Sequence, residues 1–198
     1  MLFDADGVLQ DFRSSFSRSV TPLLGERARE ILEHAIELER PLLVCDDDFL
    51  PVLADVLRQY HAEVSPADLY AAAWLDVGTA AASLDLVRGL RAAGYGVHLG
   101  TNQHRRRADY MRAMLPYDEL FDVKLYSCDL GVAKPEVAFF EKAATRIGAE
   151  PATILFIDDL APNVESARSA GLTSVQWHIE EGHDLLLEQL AEHGVAPA

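Results

Sequence analysis

An acidic motif directly after a short apolar run constrains this chain most: Leu2-Phe3-Asp4-Ala5-Asp6-Gly7-Val8-Leu9. Two apolar residues lead into Asp4, Asp6 follows two positions later, and Gly7 interrupts the run. The pattern predicts a buried strand that presents a carboxylate at its carboxyl end and then turns. Ligands of open parallel α/β sheets bind outside the carboxyl ends of the strands. Asp4 and Asp6 are therefore candidates to attack an electrophile or to hold a metal, with an ordinary Asp-Gly turn as the alternative.

Helix and strand patterns alternate from residue 83 onward. Strands are predicted at 96–101, 122–127, 153–157 and 173–177, and helices at 83–93, 103–114, 135–147, 161–170 and 182–193. Pro135 is expected in the first turn of its helix and Gly148 just past the end of it. Such alternation implies right-handed crossovers and a parallel sheet, which the first strand joins. The predicted fold class is a Rossmann-like, doubly wound α/β fold.

The segment between these two parts, residues 11–82, contains almost no convincing strand. Residues 26–38 have the period of an amphipathic helix, and residues 42–44 are open to interpretation as a short strand. We predict an α/β core domain of residues 1–10 and 83–198, with a small helical cap domain of residues 11–82 inserted after the first strand.

Three helices are expected in this cap. The first has Ile31, Ala35 and Leu38 on one face. The second is capped by Asp47 or Asp48 and reaches Gln59. The third begins with Ser65 as its cap and Pro66 at its first position.

The chain carries 32 acidic and 17 basic residues, a net charge of -15 at pH 7. This balance argues against binding to nucleic acid or to an anionic membrane. The two cysteines, Cys45 and Cys128, lack metal-ligand spacing, so we expect no disulfide framework and a reducing, cytoplasmic location. The sequence shows neither a signal-peptide pattern nor an apolar run long enough to span a bilayer.

Polar and charged residues follow the first, second and fourth predicted strands, and a lysine stands in a loop at the start of the helix predicted at 135–147. They are Asp4 and Asp6, Thr101 and Asn102, Lys134, and Asp158 and Asp159. Carboxylates and a backbone oxygen suit Mg²⁺, whereas a hydroxyl, backbone amides and an ammonium group suit the oxygens of a phosphoryl group. A metal and a lysine would offset the repulsion between an anionic nucleophile and an anionic substrate.

Each of these groups alone has a simpler interpretation. Asp158 with Asp159, or Thr101, could cap a helix, and Lys134 could be a solvated surface residue. Their joint occurrence in this order favours phosphoryl transfer.

The four motifs resemble those of the haloacid dehalogenase superfamily of phosphohydrolases. They are Asp4-Ala5-Asp6-Gly7-Val8-Leu9, Thr101-Asn102, Lys134-Pro135 and Phe156-Ile157-Asp158-Asp159. The stretches 129–135 and 158–164 most resemble the branch with bacterial glucose-1-phosphate phosphatases and the N-terminal phosphatase domain of soluble epoxide hydrolases. The insert has the position and length of the helical cap of that branch.

The resemblance implies a role for each matching residue. Asp4 would be the nucleophile that forms an aspartyl-phosphate, and Asp6 would protonate the leaving oxygen and then activate water. Asp4, the backbone carbonyl of Asp6, and Asp159 would hold Mg²⁺, with Asp158 as an alternative ligand or a residue that orients the ligands. Thr101, Asn102 and Lys134 would hold the phosphoryl group, Asn102 through its backbone. Asn163 would orient the site.

Three features depart from the family pattern. Only Met1, Leu2 and Phe3 precede Asp4, so either the first strand is short or the natural start lies upstream. Gly100 stands before Thr101, where a bulkier residue is common. The run His104-Arg105-Arg106-Arg107 opens a predicted helix, where arginines oppose the macrodipole. A solvated charge run is favoured for Arg105, Arg106 and Arg107, and a site for an anion or a partner is the alternative.

The expected activity is that of a Mg²⁺-dependent phosphatase acting on a small phosphorylated metabolite, either a sugar phosphate or a nucleotide-like monoester. A metal-independent 2-haloacid dehalogenase of the same fold is less favoured, because those enzymes generally lack the second acid of the first motif. A phosphomutase or a non-catalytic phosphate-binding module would also retain these residues.

Overall fold

The computed structural model describes residues 1–11 and 16–198, so the predicted cap residues 12–15 lie outside the described part. The strands in that part are β1 (Leu2–Phe3), β2 (Gln10–Asp11), β3 (Gly78–Thr79), β4 (His98–Thr101), β5 (Val123–Tyr126), β6 (Leu155–Asp158) and β7 (Thr173–Gln176). Five of them form one parallel sheet in the order β5-β4-β1-β6-β7. This sheet confirms the predicted α/β fold class.

The helices follow in chain order, with short π or 3-10 turns at Phe16–Val20, Gly25–Arg27, Arg40–Val44, Ala71–Leu75, Pro151–Thr153 and Ile179–Glu181. The α-helices are α1 (Thr21–Leu24), α2 (Ala28–Glu39), α3 (Phe49–Gln59), α4 (Pro66–Tyr70), α5 (Ala81–Ala92), α6 (Arg105–Met114), α7 (Tyr117–Leu120), α8 (Ser127–Leu130), α9 (Val137–Ile147), α10 (Ala161–Ser169) and α11 (His183–Glu192). No helix in the described part combines the length and apolar composition needed to cross a bilayer.

Strand β1 lies at the centre of the sheet between β4 and β6, although it contains only two residues. Its two side chains are fully buried and belong to different clusters on opposite faces, as the alternation of a strand requires. The backbone N–H of Asp4 donates to the carbonyl of Ile157 at 2.9 Å and so continues the pairing with β6. Asp4 therefore stands at the carboxyl end of the central strand, beside the end of β6.

Each face of the sheet is covered by helices. Helices α5, α6 and α11 contribute to a cluster with Phe3, whereas α9 and α10 contribute to a cluster with Leu2. Gly100 packs against this second cluster, because a Cβ at position 100 would lie 3.0 Å from Leu2 Cδ1. The departure from the family pattern at Gly100 thus allows β4 and β1 to accommodate the side chain of Leu2.

The helical insert leaves and rejoins the core through the antiparallel pair β2 and β3. Between these strands, helices α2 to α4 and the turn at Ala71–Leu75 share a separate apolar cluster that includes Phe49, Leu53 and Trp74. Helix α3 begins at the predicted cap, since the Asp48 side chain accepts from Leu50 N at 3.2 Å. Helix α4 likewise begins after Ser65, whose hydroxyl accepts from Asp68 N at 3.0 Å.

Three local predictions need correction or completion. Leu38 was expected to be on the buried face of α2 but is 40% exposed, and Leu32 is buried instead. Pro135 does not lie in the first turn of α9, which begins at Val137 after the cap residue Glu136. The Lys134–Pro135 bond is cis. The open segment 42–44 belongs to the 3-10 turn Arg40–Val44 and not to a strand.

Candidate active site

A cavity of about 330 Å³ opens at the carboxyl edge of the sheet, under the helical insert. Seven of the eight residues proposed for the site from the sequence line it, namely Asp4, Asp6, Thr101, Asn102, Lys134, Asp159 and Asn163. The eighth, Asp158, lies behind Lys134 and is completely buried. The folding of the chain therefore collects residues from positions 4 to 163 around one space.

Lys134 forms two ion pairs at the floor of this cavity. Its Nζ lies 2.7 Å from Asp4 Oδ1 and 2.7 Å from Asp158 Oδ2. Burial alone would lower the pKa of the Lys134 ammonium group, but Asp158 and Asp4 raise it above its usual value. Burial also raises the pKa of Asp4, and Lys134 opposes this effect only in part. A buried cation thus stands directly beside the predicted nucleophile.

Asp158 is held by four hydrogen bonds. Its Oδ1 accepts from Leu160 N and from Asn163 Nδ2, both at 2.9 Å. Its Oδ2 accepts from Asn163 Nδ2 at 3.0 Å and from Lys134 Nζ at 2.7 Å. Because a carboxylate offers about four acceptor positions, Asp158 is suited to orienting Lys134 and not to binding a ligand directly. Asn163 contributes by fixing Asp158.

The loop that carries Lys134 is fastened by the side chain of Asn102. Asn102 Nδ2 donates to the Lys134 carbonyl at 2.8 Å, and Lys134 N donates to Asn102 Oδ1 at 2.9 Å. These bonds fix the backbone of the loop that precedes α9. The neighbouring Thr101 hydroxyl accepts from Gln103 Nε2 at 2.9 Å.

The carboxylates of Asp4, Asp158 and Asp159 form a compact acidic cluster. Each offers an oxygen within 4.8 Å of the others. Burial, followed by repulsion from Asp158, raises the pKa of Asp159. Gly7 allows Asp159 to approach, because a Cβ at that position would lie 2.8 Å from Asp159 Cγ. An all-oxygen donor set with this excess of negative charge fits Mg²⁺, and Asp4 and Asp159 are the residues that would hold it.

Asp6 points away from this cluster toward Arg107, a contact that the sequence analysis missed. Arg107 Nη1 and Nη2 donate to the two carboxylate oxygens of Asp6 at 2.7 and 2.8 Å. Gln10 and Gln103 donate to the same carboxylate at 2.7 and 2.9 Å. Burial alone would raise the pKa of Asp6, but the charge and hydrogen bonds of Arg107 and the two glutamine bonds bring it below its usual value.

The arginine run at the start of α6 connects the core to the insert. Arg107 is 5% exposed, so the prediction of a solvated run was wrong at this residue. Its Nε also donates to the Trp74 carbonyl in the insert at 2.9 Å. Arg105 pairs with Asp46, and Arg106 makes a two-pronged pair with Asp48 at 2.9 and 2.8 Å. Aspartates of the insert thus compensate for basic residues at a helix N-terminus.

The roof of the cavity comes from the insert and was not predicted from the sequence. Ile36 and Glu39 of α2, Leu43 of the following turn, and Trp74 all face this space. Trp74 Nε1 donates to both carboxylate oxygens of Glu39 at 3.1 Å. Burial raises the pKa of Glu39 to about 7, although Arg107 and the Trp74 hydrogen bond oppose the shift. No local pattern marked these residues, because Glu39 is charged and Leu43 lies in the separate turn Arg40–Val44.

Comparison with known proteins identifies a matching family and several relatives. A family model for haloacid dehalogenase-like hydrolases matches residues 1–171. The (S)-2-haloacid dehalogenase 4A of Burkholderia cepacia is 25% identical over 186 residues, covering 88% of this chain and 80% of the dehalogenase. Bifunctional epoxide hydrolase 2 of Mus musculus is 27% identical over 73 residues, covering 37% of this chain.

A similar fold occurs in a HAD family enzyme of Bacteroides thetaiotaomicron that was crystallised with magnesium and inorganic phosphate. The TM-score is 0.70 at 22% identity, covering 88% of this chain and 91% of that enzyme. The match to the mouse epoxide hydrolase covers 13% of the length of that protein, and the matches to two other curated relatives cover 8% and 11% of theirs.

Proposed function

Because this chain belongs to the haloacid dehalogenase-like hydrolases, we propose that it is a Mg²⁺-dependent phosphatase acting on a small phosphorylated metabolite. The observation that carries the proposal is the position of Lys134, whose ammonium group lies 2.7 Å from Asp4 at the floor of the cavity. An anionic nucleophile beside a buried cation can approach a phosphoryl group that it would otherwise repel. The acidic cluster beside it supplies the oxygen ligands that Mg²⁺ prefers.

Asp4 acts as the nucleophile in the proposed reaction. One carboxylate oxygen attacks phosphorus, the bond between phosphorus and the alcohol oxygen breaks, and the alcohol departs with a proton. Water then attacks the phosphorus of the aspartyl-phosphate, which releases inorganic phosphate and restores Asp4. Lys134 and Thr101, both buried at the cavity floor, hold the phosphoryl oxygens together with the backbone at Asn102.

Asp6 is the proposed general base in the second step, the hydrolysis of the aspartyl-phosphate. Its bonds to Arg107, Gln10 and Gln103 favour the ionised carboxylate, which is the form that accepts a proton from attacking water. Protonation of the leaving alcohol requires that Asp6 first acquires a proton against the charge of Arg107. Esters of acidic alcohols should therefore react faster than esters of simple alkyl alcohols.

Mg²⁺ would be held by Asp4, Asp159 and the backbone carbonyl of Asp6. When bound, it would neutralise negative charge on the phosphoryl oxygens and on Asp4. Asp158 contributes by keeping Lys134 in place. This division agrees with the four hydrogen bonds that already occupy the Asp158 carboxylate.

Within the family, we place the chain beside the glucose-1-phosphate phosphatases and the N-terminal phosphatase domain of soluble epoxide hydrolases. The match to mouse bifunctional epoxide hydrolase 2 supports this branch. We keep residues 11–82 as the cap domain, which is supported by an apolar cluster built from insert residues. The free thiols of Cys45 and Cys128 support a reducing, cytoplasmic location.

Hydrolysis of p-nitrophenyl phosphate with and without Mg²⁺ tests this function, with Asp4→Asn as the key variant. An amide is too poor a nucleophile to form the acyl phosphate, so activity should fall by at least about 100-fold. The variant should still fold, because Asn fits the same space. Retention of more than about a tenth of the wild-type rate would exclude Asp4 as the nucleophile.

Three further measurements separate phosphatase activity from the rival functions. Turnover of a 2-haloacid without Mg²⁺ would identify a dehalogenase, an activity that the Burkholderia cepacia relative bears in its name. Transfer of the phosphoryl group to a second hydroxyl of a sugar phosphate, without release of inorganic phosphate, would identify a mutase. Phosphate binding without turnover of any ester would identify a binding module.

The variant Asp6→Asn tests the assigned proton transfers. Loss of the acid should slow alkyl phosphates more than p-nitrophenyl phosphate, since nitrophenolate leaves without a proton. Loss of the base should slow release of phosphate from the aspartyl-phosphate for both, and rapid-quench measurements separate the two effects. Equal slowing of substrate cleavage for both esters would mean that Asp6 serves chiefly to hold Arg107.

A further inference from the structure

Glu39 has an environment that the proposed reaction at Asp4 does not explain. It ends α2 and lines the roof of the cavity, and its side chain is 12% exposed. In the described part of the chain, its hydrogen bonds come from the indole of Trp74 alone. A buried carboxylate with a single donor group has acceptor capacity left over, and this capacity adjoins the cavity.

The positive charges near Glu39 are largely committed elsewhere. His104 Nε2 lies 3.5 Å from Glu39 Oε1, but burial and Arg107 lower the pKa of His104 to about 3, so the ring is neutral. Arg107 makes its two-pronged pair with Asp6. Burial therefore raises the pKa of Glu39, and Arg107 opposes the shift only in part.

Near Glu39 the cavity is lined by apolar side chains of the insert and by Arg107, whose guanidinium group is paired with Asp6. Ile36 and Leu160 are 41% and 54% exposed, although both are large hydrophobic residues that line the cavity wall. Asp11 and Asp159 line the same space. A second anionic group that reached Glu39 would meet its carboxylate, whereas a short carbon chain would contact the apolar walls.

We propose that Glu39 is a specificity-determining residue that accepts a hydrogen bond from a hydroxyl or ammonium group of the leaving alcohol. The substrate is then a phosphate monoester whose alcohol has a short apolar body, a hydrogen-bond donor and no second anion. This inference rests on the proposed phosphatase function, since it assigns the part of the cavity above the phosphoryl site.

Matched alkyl phosphates test the inference in the Mg²⁺-loaded wild-type protein. Ethyl, propyl and butyl phosphate are compared with analogues that end in a hydroxyl, an ammonium or a carboxylate group. At the chain length that reaches Glu39, kcat/KM for the hydroxyl or ammonium ester should exceed that of the methyl-ended ester by about 10-fold or more, as a satisfied buried acceptor predicts. The carboxylate ester should be the poorest substrate. The ratio of ammonium to hydroxyl ester distinguishes a charged donor from a neutral one.

Glu39→Gln is the informative variant, because its amide oxygen can still accept from Trp74 while the charge is removed. The ratio of kcat/KM for the ammonium ester to that for the methyl-ended ester should fall by about 10-fold. The ratio for the methyl-ended ester to the carboxylate ester should fall by a similar factor. Glu37→Gln is the matched control, since Glu37 lies on the same helix and is exposed. It should leave all ratios unchanged.

Two results would overturn the inference. One is wild-type discrimination of less than about twofold between methyl-, hydroxyl- and ammonium-ended esters at every length, far below the effect of a lost buried hydrogen bond. The other is a Glu39→Gln variant that slows all esters by the same factor. Failure of the phosphatase proposal gives a different outcome, in which neither these esters nor p-nitrophenyl phosphate are hydrolysed.

Discussion

At the scale of single residues, the site depends on close approaches that only particular side chains permit. Gly7 is an example. Its φ is +78°, and a Cβ at this position would lie only 2.8 Å from Asp159 Cγ. Two separate effects of substitution are expected. One is the backbone strain of a left-handed residue, and the other is displacement of Asp159 from the acidic cluster.

The variants Gly7→Ala and Gly148→Ala separate these effects. Gly148 has a φ of +75° with nothing within 4 Å of an added Cβ. Both variants should therefore lose about 1 kcal/mol of unfolding free energy from the backbone. Only Gly7→Ala should also lose Mg²⁺ affinity and phosphatase activity, as measured by calorimetry and by p-nitrophenyl phosphate hydrolysis. Equal activity of the two variants would show that the approach of Asp159 to Gly7 has no role in the site.

The residues of the site differ in how far the sequence predicts them. Asp4 was predicted because it follows a recognisable strand, and parallel strands bring their carboxyl ends to one edge. Lys134 was predicted because it stands in a loop at the start of a recognisable helix. The pairing of Arg107 with Asp6 was missed because the two residues are 101 positions apart. Local pattern carries no information about such a contact, which depends on the orientation of α6 under the insert.

At the scale of elements, Asp48 combines two tasks at the start of α3. Its Oδ1 accepts from Leu50 N as a helix cap and also from Arg106, which binds Oδ2 as well. The hydrogen bonds from Arg106 lower the pKa of Asp48 to about 2. Both partners of the ion pair are 44% exposed, so the pair itself should contribute less than about 1 kcal/mol.

Two substitutions divide these contributions. Asp48→Asn retains the cap and loses the ion pair, and should cost about 0.5 kcal/mol, whereas Asp48→Ala loses both and should cost about 1.5 kcal/mol. Because the folded pKa lies below the ordinary value of 3.8, this stabilisation is present above that pH and disappears as the pH falls toward 2. Urea titrations should therefore show a difference in unfolding free energy between wild type and Asp48→Asn at pH 7 that narrows steadily as the pH falls toward 2. A gap that persists at low pH would assign the effect to something other than the Asp48 charge.

Periodicity predicted these helices better than it predicted their faces. A helix at 26–38 was expected because apolar residues recur at helical spacing, and the structure has a helix at Ala28–Glu39. Leu38 was placed on the buried face but is exposed. The inward position is taken by Glu39, a charged residue that periodicity assigns to solvent. A cavity between core and insert changes which face is covered, and a single helix does not encode that arrangement. Asn102, which follows β4, similarly fixes the backbone of Lys134 ahead of α9, a contact that the sequence of the helix does not encode.

At the scale of the whole molecule, the protein combines a negative net charge with a compact cluster of carboxylates. The chain carries a net charge of -15, and three of its carboxylates approach one another at the carboxyl edge of the sheet. Burial and mutual repulsion raise the pKa of Asp4 and Asp159. Ionisation of these groups therefore destabilises the metal-free fold as the pH rises above their unfolded values, and Mg²⁺ should reverse this effect most strongly at high pH.

The variant Asp159→Ala tests whether this cluster is the Mg²⁺ site. Binding to the folded state alone should raise the unfolding free energy of the wild type by about 2.7 kcal/mol when Mg²⁺ is at 100 times its Kd. Asp159→Ala should lose this gain and nearly all activity. Its metal-free form should be at least as stable as the metal-free wild type, because one repelling carboxylate is gone. Glu188→Ala, which removes an exposed carboxylate from α11, is the control for loss of charge and should keep the full Mg²⁺ effect. Thermal unfolding and titration calorimetry measure both quantities, and an unchanged Mg²⁺ affinity in Asp159→Ala would place the ion outside this cluster.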